Sequence, residues 1–133
     1  MNFEIANEKA VRFLTASLKT EYEVRQKLIK LNCENEIIDK VITHLKEILY
    51  INDEEYVNAY IRQCKKLPKY SIYEITNKLR QKGIDDEKIS RCKTELESIE
   101  YELELVNKIK NKKTNIDPLK LKAYLYRRGF KNF

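Results

Sequence analysis

Glycine and proline occur only twice each in 133 residues, and tryptophan is absent. So few turn-formers leave little material for hairpins or a many-stranded sandwich. Cys33, Cys64 and Cys92 are the only cysteines, and no two form a CxxC pair. An odd, scattered set reads as reduced thiols in a cytoplasm, not as a disulfide framework. A single histidine, His44, without paired cysteines argues against a zinc site. Neither a P-loop glycine run nor a GxGxxG turn is present, so no nucleotide-cradling loop is indicated. No apolar run approaches the roughly 18 residues that a membrane span requires. Met1–Leu14 carries Glu4, Glu8, Lys9 and Arg12, which suits neither a signal nor a transit peptide. The sequence offers no catalytic constellation, and no cofactor, membrane or small-molecule substrate is expected.

What is abundant is charge. Charged residues make up 36% of the chain, above the usual quarter, against an ordinary apolar share of 42%. Long helices with charged outer faces fit that balance. A chain of this length buries roughly two thirds of its unfolded surface and needs no covalent staple. The net charge of +6 is unevenly placed. Residues 1–52 are neutral, 53–98 carry +1 and 99–133 carry +5, while Arg62–Lys82 sets seven basic residues against Glu74 alone. Such asymmetry points to an anionic partner.

An internal repeat organises the chain. At an offset of 51, Tyr22, Glu23, Lys27 and Leu28 fall on Tyr73, Glu74, Lys78 and Leu79. Glu36, Ile38, Thr43 and Leu45 fall on Glu87, Ile89, Thr94 and Leu96. A third copy opens at Asp117, with Leu119, Leu121 and Leu125 in the places of Tyr22, Val24 and Leu28. Thr20 with Glu23 and Ser71 with Glu74 form capping boxes, and Asp117-Pro118 supplies an N-cap followed by proline at the first helical position. Asn32, Gly83 and Gly129 stand where a left-handed residue closes a helix. Asp53, Glu54 and Glu55, and again Asp85, Asp86 and Glu87, mark helix starts through capping and the macrodipole.

The expected fold is all-α, built from tandem three-helix repeats at 1–52, 53–98 and 99–133 that stack into an elongated, curved array. Helices are expected near 4–18, 21–31, 35–49, 54–66, 72–82, 86–98, 100–112 and 118–128. The segment Ile99–Lys113 could run on from the preceding helix, since nothing between Glu97 and Tyr101 breaks it. The third copy lacks its last helix, which would leave Leu125 and Phe130 less covered. Cys33 and Cys92 match Ile84 and Val41 and read as core, Cys64 is open, and His44 matches the solvated Glu95.

With these residues in place the chain resembles the RecX family. The likeness rests on Tyr50–Arg62 with its acidic helix start, on Lys69–Ser71 followed by Ile75, Lys78, Leu79, Arg80, Lys82 and Gly83, on Tyr22–Leu28, and on Tyr124–Phe130. It extends from about Ala10 to Phe130. Many family members carry additional N-terminal sequence, whereas this chain starts almost at its first repeat helix. The resemblance implies a non-enzymatic regulator that lies in the groove of the filament formed by RecA on single-stranded DNA. It generally restrains ATP hydrolysis, strand exchange and coprotease activity, and so bears on homologous recombination, DNA repair and the SOS response.

Lysine and arginine would neutralise phosphate there. The candidates are Lys65, Lys66, Lys69, Lys78, Arg80 and Lys82, then Lys108, Lys110, Lys112, Lys113, Lys120, Lys122, Arg127 and Arg128. Glu74, Lys78 and Lys82 are expected on one exposed face. Tyr70, Tyr124 and Tyr126 stand beside basic residues and could stack on bases, whereas Tyr22 and Tyr73 read as packing. The partners expected are RecA and RecA-coated single-stranded DNA, with weak direct nucleic-acid binding. Two other readings stay open: a stand-alone helix–turn–helix-like DNA-binding protein, and a helical scaffold for another acidic protein. Against the first of these, Ser71–Lys82 is poor in base-reading side chains.

Overall fold

A computed structural model describes residues 1–130 and 133. The described residues form eight helices and no strand: α1 Phe3–Ala16, α2 Glu21–Lys30, α3 Asn35–Glu47, α4 Asp53–Lys66, α5 Ile72–Gln81, α6 Asp86–Ser98, α7 Tyr101–Lys112 and α8 Pro118–Arg127. The chain divides into two compact units. One comprises Met1–Tyr56 with Lys82–Ile84, and the other Val57–Gln81 with Asp85–Phe133.

In the first unit α1, α2 and α3 pack on one another. Their apolar residues recur at helical spacing, so each helix turns one stripe inward. Ala6 and Ala10 on α1, Val24 and Leu28 on α2, and Val41 and Leu45 on α3 lose all exposure. Burying each of the larger side chains stabilises the fold by roughly 1.5–3 kcal/mol. Phe3, Phe13 and Leu14 extend this core. His44 lies against it, its ring edge-on to Phe3 at 5.9 Å, and is half-buried where the repeat pattern pointed to solvent. In the second unit α5 packs on α6 and α6 on α7. Ile75, Leu79, Cys92, Leu96 and Val106 are buried there.

The helix ends follow the expected chemistry. Thr20 accepts the Glu23 amide while the Glu23 carboxylate accepts the Thr20 amide, and Ser71 and Glu74 do the same. Asp85 caps α6 and Asp117 caps α8. At the start of α4 the local cap is Asn52, which accepts the Glu55 amide, while Asp53 accepts the first amide of α2, from Glu21. Asn32, Gly83 and Gly129 all have positive φ, at 61°, 78° and 96°.

Two expectations from the sequence are decided here. Helix α6 does not run on: the chain turns at Ile99–Glu100, with Glu100 left-handed at φ 54°. Leu49, 51 residues earlier, is left-handed too, at φ 61°. Leu125 and Phe130 are each only 1% exposed. The Gly129 turn folds Phe130 back so that its amide donates to the Leu125 carbonyl. The large apolar side chains that α8 leaves in solvent are Leu119 and Tyr126.

One arrangement occurs in both units. The Thr20 hydroxyl donates to the carbonyl of Lys82 at 2.6 Å, the Lys82 ammonium meets Glu23 at 3.2 Å, and Tyr22 lies over Gly83. In the second unit the Ser71 hydroxyl donates to the carbonyl of Arg128, the Arg128 guanidinium meets Glu74 at 3.0 Å, and Tyr73 lies over Gly129. Each N-cap thus doubles as a clasp on a distant helix end. Tyr22 and Tyr73, half-exposed, are packing residues in this sense.

A methyl group at Gly83 would fall well inside van der Waals contact with Tyr22 Cβ, at a backbone angle that side chains rarely adopt. Left-handed strain of about 1–2 kcal/mol adds to overpacking of about 1–3 kcal/mol. Gly83→Ala is therefore expected to lower the unfolding free energy by roughly 2–5 kcal/mol in urea titration. In a Tyr22→Gly background, which removes the Cβ together with the ring, the steric part should be relieved and only the strain remain. Equal losses in both backgrounds would show that Tyr22 does not close on the glycine.

Candidate functional site

The basic residues singled out by sequence fall into different settings. Lys82 belongs to the first unit, where it is tied to Glu23. The others lie in the second unit. Lys65, at the end of α4, pairs with Glu95 of α6 at 3.0 Å. Arg80 bonds the Asn77 side chain and stands 3.9 Å from Asp86. Lys66 and Lys69 are exposed. Lys78 is half-buried, not exposed as the face reading required, because its ammonium sits over the Tyr70 ring, 4.4 Å from the centroid. Glu74, expected beside Lys78, turns instead to Arg128.

On α7, Lys108, Lys110 and Lys112 are exposed, as are Lys120, Lys122 and Arg127 on α8. Among the described residues no carboxylate lies within 4 Å of any of the six. Lys113 is half-buried over the Tyr124 ring at 4.3 Å. Arg128 differs from all of these. Its guanidinium bonds Glu74, the Lys69 carbonyl at 2.7 Å and the Tyr124 hydroxyl at 3.3 Å. It also lies against the Tyr124 and Phe130 rings. Its donors are occupied within the fold.

The three tyrosines separate in the same way. Tyr124 carries cations from both Lys113 and Arg128. Tyr126 is 66% exposed and borders an open hollow with Leu119, Ala123 and Phe130. Tyr70 borders a cleft that also receives Tyr60 and Tyr101, two residues that sequence reasoning did not single out. The spacing of Tyr60, Cys64 and Leu67 at i, i+4 and i+7 was a readable signal for one side of it. Tyr101 was not readable, since its position depends on the turn at Glu100.

The arrangement suits binding more than bond-making. Burial raises the Cys64 and Cys92 thiols to about 11, so neither is an activated nucleophile. Among the described residues no group of three or more His, Cys, Asp or Glu could hold a metal ion, and no helix is long and apolar enough to cross a membrane.

Comparison with known proteins agrees with the fold. Residues 6–45 match the family model described as RecX, first three-helix domain, and residues 52–92 match RecX, second three-helix domain. The regulatory protein RecX of Caldanaerobacter subterraneus is 32% identical over 127 residues, covering 94% of this chain and 64% of the relative. That of Finegoldia magna is 34% identical over 122 residues, covering 92% and 60%. The chain thus spans somewhat under two thirds of the length of these relatives. Among solved structures, the crystal structure of RecX from Lactobacillus salivarius superposes with a TM-score of 0.82 at 25% identity, covering 98% of this chain and 89% of that one.

The Arg128–Glu74 contact makes a measurable claim. Burial pushes the Glu74 carboxyl up, but hydrogen bonds from Ser71 and Arg128 and the Arg128 charge outweigh it and hold the group below its ordinary value. A carboxylate with a depressed folded value contributes stability above its unfolded pKa, and that contribution is lost as pH falls through the folded value. Glu74→Gln is therefore expected to cost about 1 kcal/mol near pH 7, with the deficit shrinking below about pH 4. Urea midpoints at both pH values check this. A deficit independent of pH would mean that the carboxylate charge contributes nothing.

Proposed function

Because the chain belongs to the RecX family, we propose that it is a non-enzymatic, cytoplasmic regulator of the RecA recombinase that binds the RecA–DNA filament groove and mostly restrains ATP hydrolysis, strand exchange and coprotease activity. One observation carries the reading. Lys108, Lys110, Lys112, Lys120, Lys122 and Arg127 are exposed on α7 and α8 of one unit, with no carboxylate within 4 Å among the described residues. Most surface cations in a folded chain are solvated or lightly paired and do little. Six on two successive helices, in the part of the chain that carries +5 of the total +6, give that part an excess of unpaired positive charge that would attract phosphate.

The proposed division is that the repeats at 1–52 and 53–98 present protein-contacting helix faces, while 99–133 supplies most of the phosphate contacts. Arg128 and Lys82 are assigned to the clasps, because their donors meet Glu74 and Glu23. Lys66, Lys69 and Lys78 form a smaller group of candidates within 53–98, with no carboxylate within 4 Å among the described residues. Nucleic-acid affinity without RecA is then weak and salt-dependent, since few phosphates are neutralised.

RecA-dependent ATP hydrolysis on single-stranded DNA is the test. Added protein is expected to suppress it at stoichiometries at or below that of RecA. The double variant Lys120→Glu, Lys122→Glu should weaken suppression by roughly tenfold or more, with unchanged helicity, because both side chains are exposed. Full suppression by that variant would remove α8 from the interface. No suppression by the unaltered protein would overturn the reading.

A further inference from the structure

The second unit contains a cleft of about 210 Å³ lined by Tyr60, Cys64, Leu67, Lys69, Tyr70 and Tyr101. Small-molecule sites start at roughly 300 Å³, so this space admits one planar group carried on a longer polymer. Tyr101 and Cys64 are buried, at 3% and 8% exposure, and the Tyr101 hydroxyl donates to the Tyr70 carbonyl at 2.7 Å. That bond ties the start of α7 to the loop ahead of α5. Leu67, by contrast, is 71% exposed. Around the cleft the charge is positive. Lys69 and Lys78 approach the Tyr70 ring at 6.0 and 4.4 Å, and Lys66 is exposed nearby in the chain. Among the described residues none of the three has a carboxylate within 4 Å. Lys65 is partly neutralised by Glu95.

We propose that this cleft takes one unstacked base of a single-stranded nucleic acid, with Lys66, Lys69 and Lys78 contacting the flanking phosphates. Aromatic rings accept bases of any sequence because every base has a π-face, and cations beside the rings track the backbone. The order ammonium, ring, ammonium at Lys69, Tyr70 and Lys78 follows the alternation of phosphate and base along a strand. Gln63, also on the lining, offers a donor and an acceptor to a base edge. An apolar peptide side chain would fill the same space but leave the three ammonium groups unmatched. The inference extends the nucleic-acid part of the preceding reading, and its first measurement needs no RecA.

The probe is a fluorescein-labelled thymidine oligomer of about 12 residues, with an abasic oligomer of equal length as control. Fluorescence anisotropy is measured with the full chain at low and moderate salt. The thymidine oligomer is expected to bind about tenfold more tightly than the abasic one, and Tyr70→Ala to bring the two affinities together. Tyr70→Phe should keep it. Circular dichroism melting accompanies each variant, and Leu67→Ser, at an exposed position, provides a second probe should Tyr70→Ala fail to fold. Equal binding of the two oligomers by the unaltered protein, or indifference to both Tyr70→Ala and Leu67→Ser, would overturn the proposal. So would loss of RecA suppression in these variants with thymidine binding intact, because the cleft would then hold a protein side chain. Base-dependent binding without any effect on RecA would sink the preceding reading and leave this one standing.

Discussion

Thr20 and Ser71 are completely buried hydroxyl residues in a protein whose surface is dense with charge. A buried hydroxyl must both donate and accept, or the fold loses stability. Each accepts the amide of the capping-box glutamate and each donates to a carbonyl more than fifty residues away, that of Lys82 or Arg128. That carbonyl lies at a helix end, where the backbone has no partner of its own. One side chain therefore completes the start of one helix and the end of another. The glycine that follows each carbonyl lets a tyrosine approach more closely than a Cβ would permit. The clasp links helix termination to tertiary packing, and the placement of the remaining surface depends on it.

Much of the fold was legible because its signals are local. Capping boxes, the Asp117-Pro118 start and the turns at Asn32, Gly83 and Gly129 need only a few neighbouring residues to be recognised, and the helices follow within a residue or two. The turn at Glu100 was not legible. Left-handed geometry in a leucine or a glutamate costs about 1–2 kcal/mol, and no local composition advertises it. At Leu49 the turn is held by the Tyr50 and Ile51 amides, which both donate to the Leu45 carbonyl, and Ile51 is buried by it. The offset of 51 would have carried that turn from Leu49 to Glu100 had its conformation been visible in sequence. Likewise Phe130 is turned into the fold by a left-handed Gly129 and by the bond from its amide to the Leu125 carbonyl, which local composition does not show.

The candidate surface was legible as charge and illegible as commitment. Counting residues locates the basic stretches, but a lysine in solvent and a lysine held in a clasp look identical in sequence. The partner of Arg128 is 54 positions away and that of Lys82 is 59. Helical spacing favours Lys78 as the neighbour of Glu74, yet exposed pairs four apart are worth only a few tenths of a kcal/mol. A better-shielded guanidinium, 22% exposed, with several further acceptors competes successfully.

The two clasps are alike in position and unequal in strength, and the inequality follows from side-chain chemistry. Lysine at 82 offers a compact charge and makes one contact, to Glu23. Arginine at 128 spreads a planar fork over a carboxylate, a carbonyl and a phenol while stacking on two rings. The second clasp lies where the chain is most cationic, and there an arginine left unpaired would add to the repulsion among its neighbours. Turning its guanidinium inward onto Glu74 removes one charge from that field and fixes the end of α8. The lysines of α7 and α8 then stay outward-facing because the fold has used the cation best suited to multiple short bonds and left those best suited to a hydrated, salt-sensitive contact with phosphate.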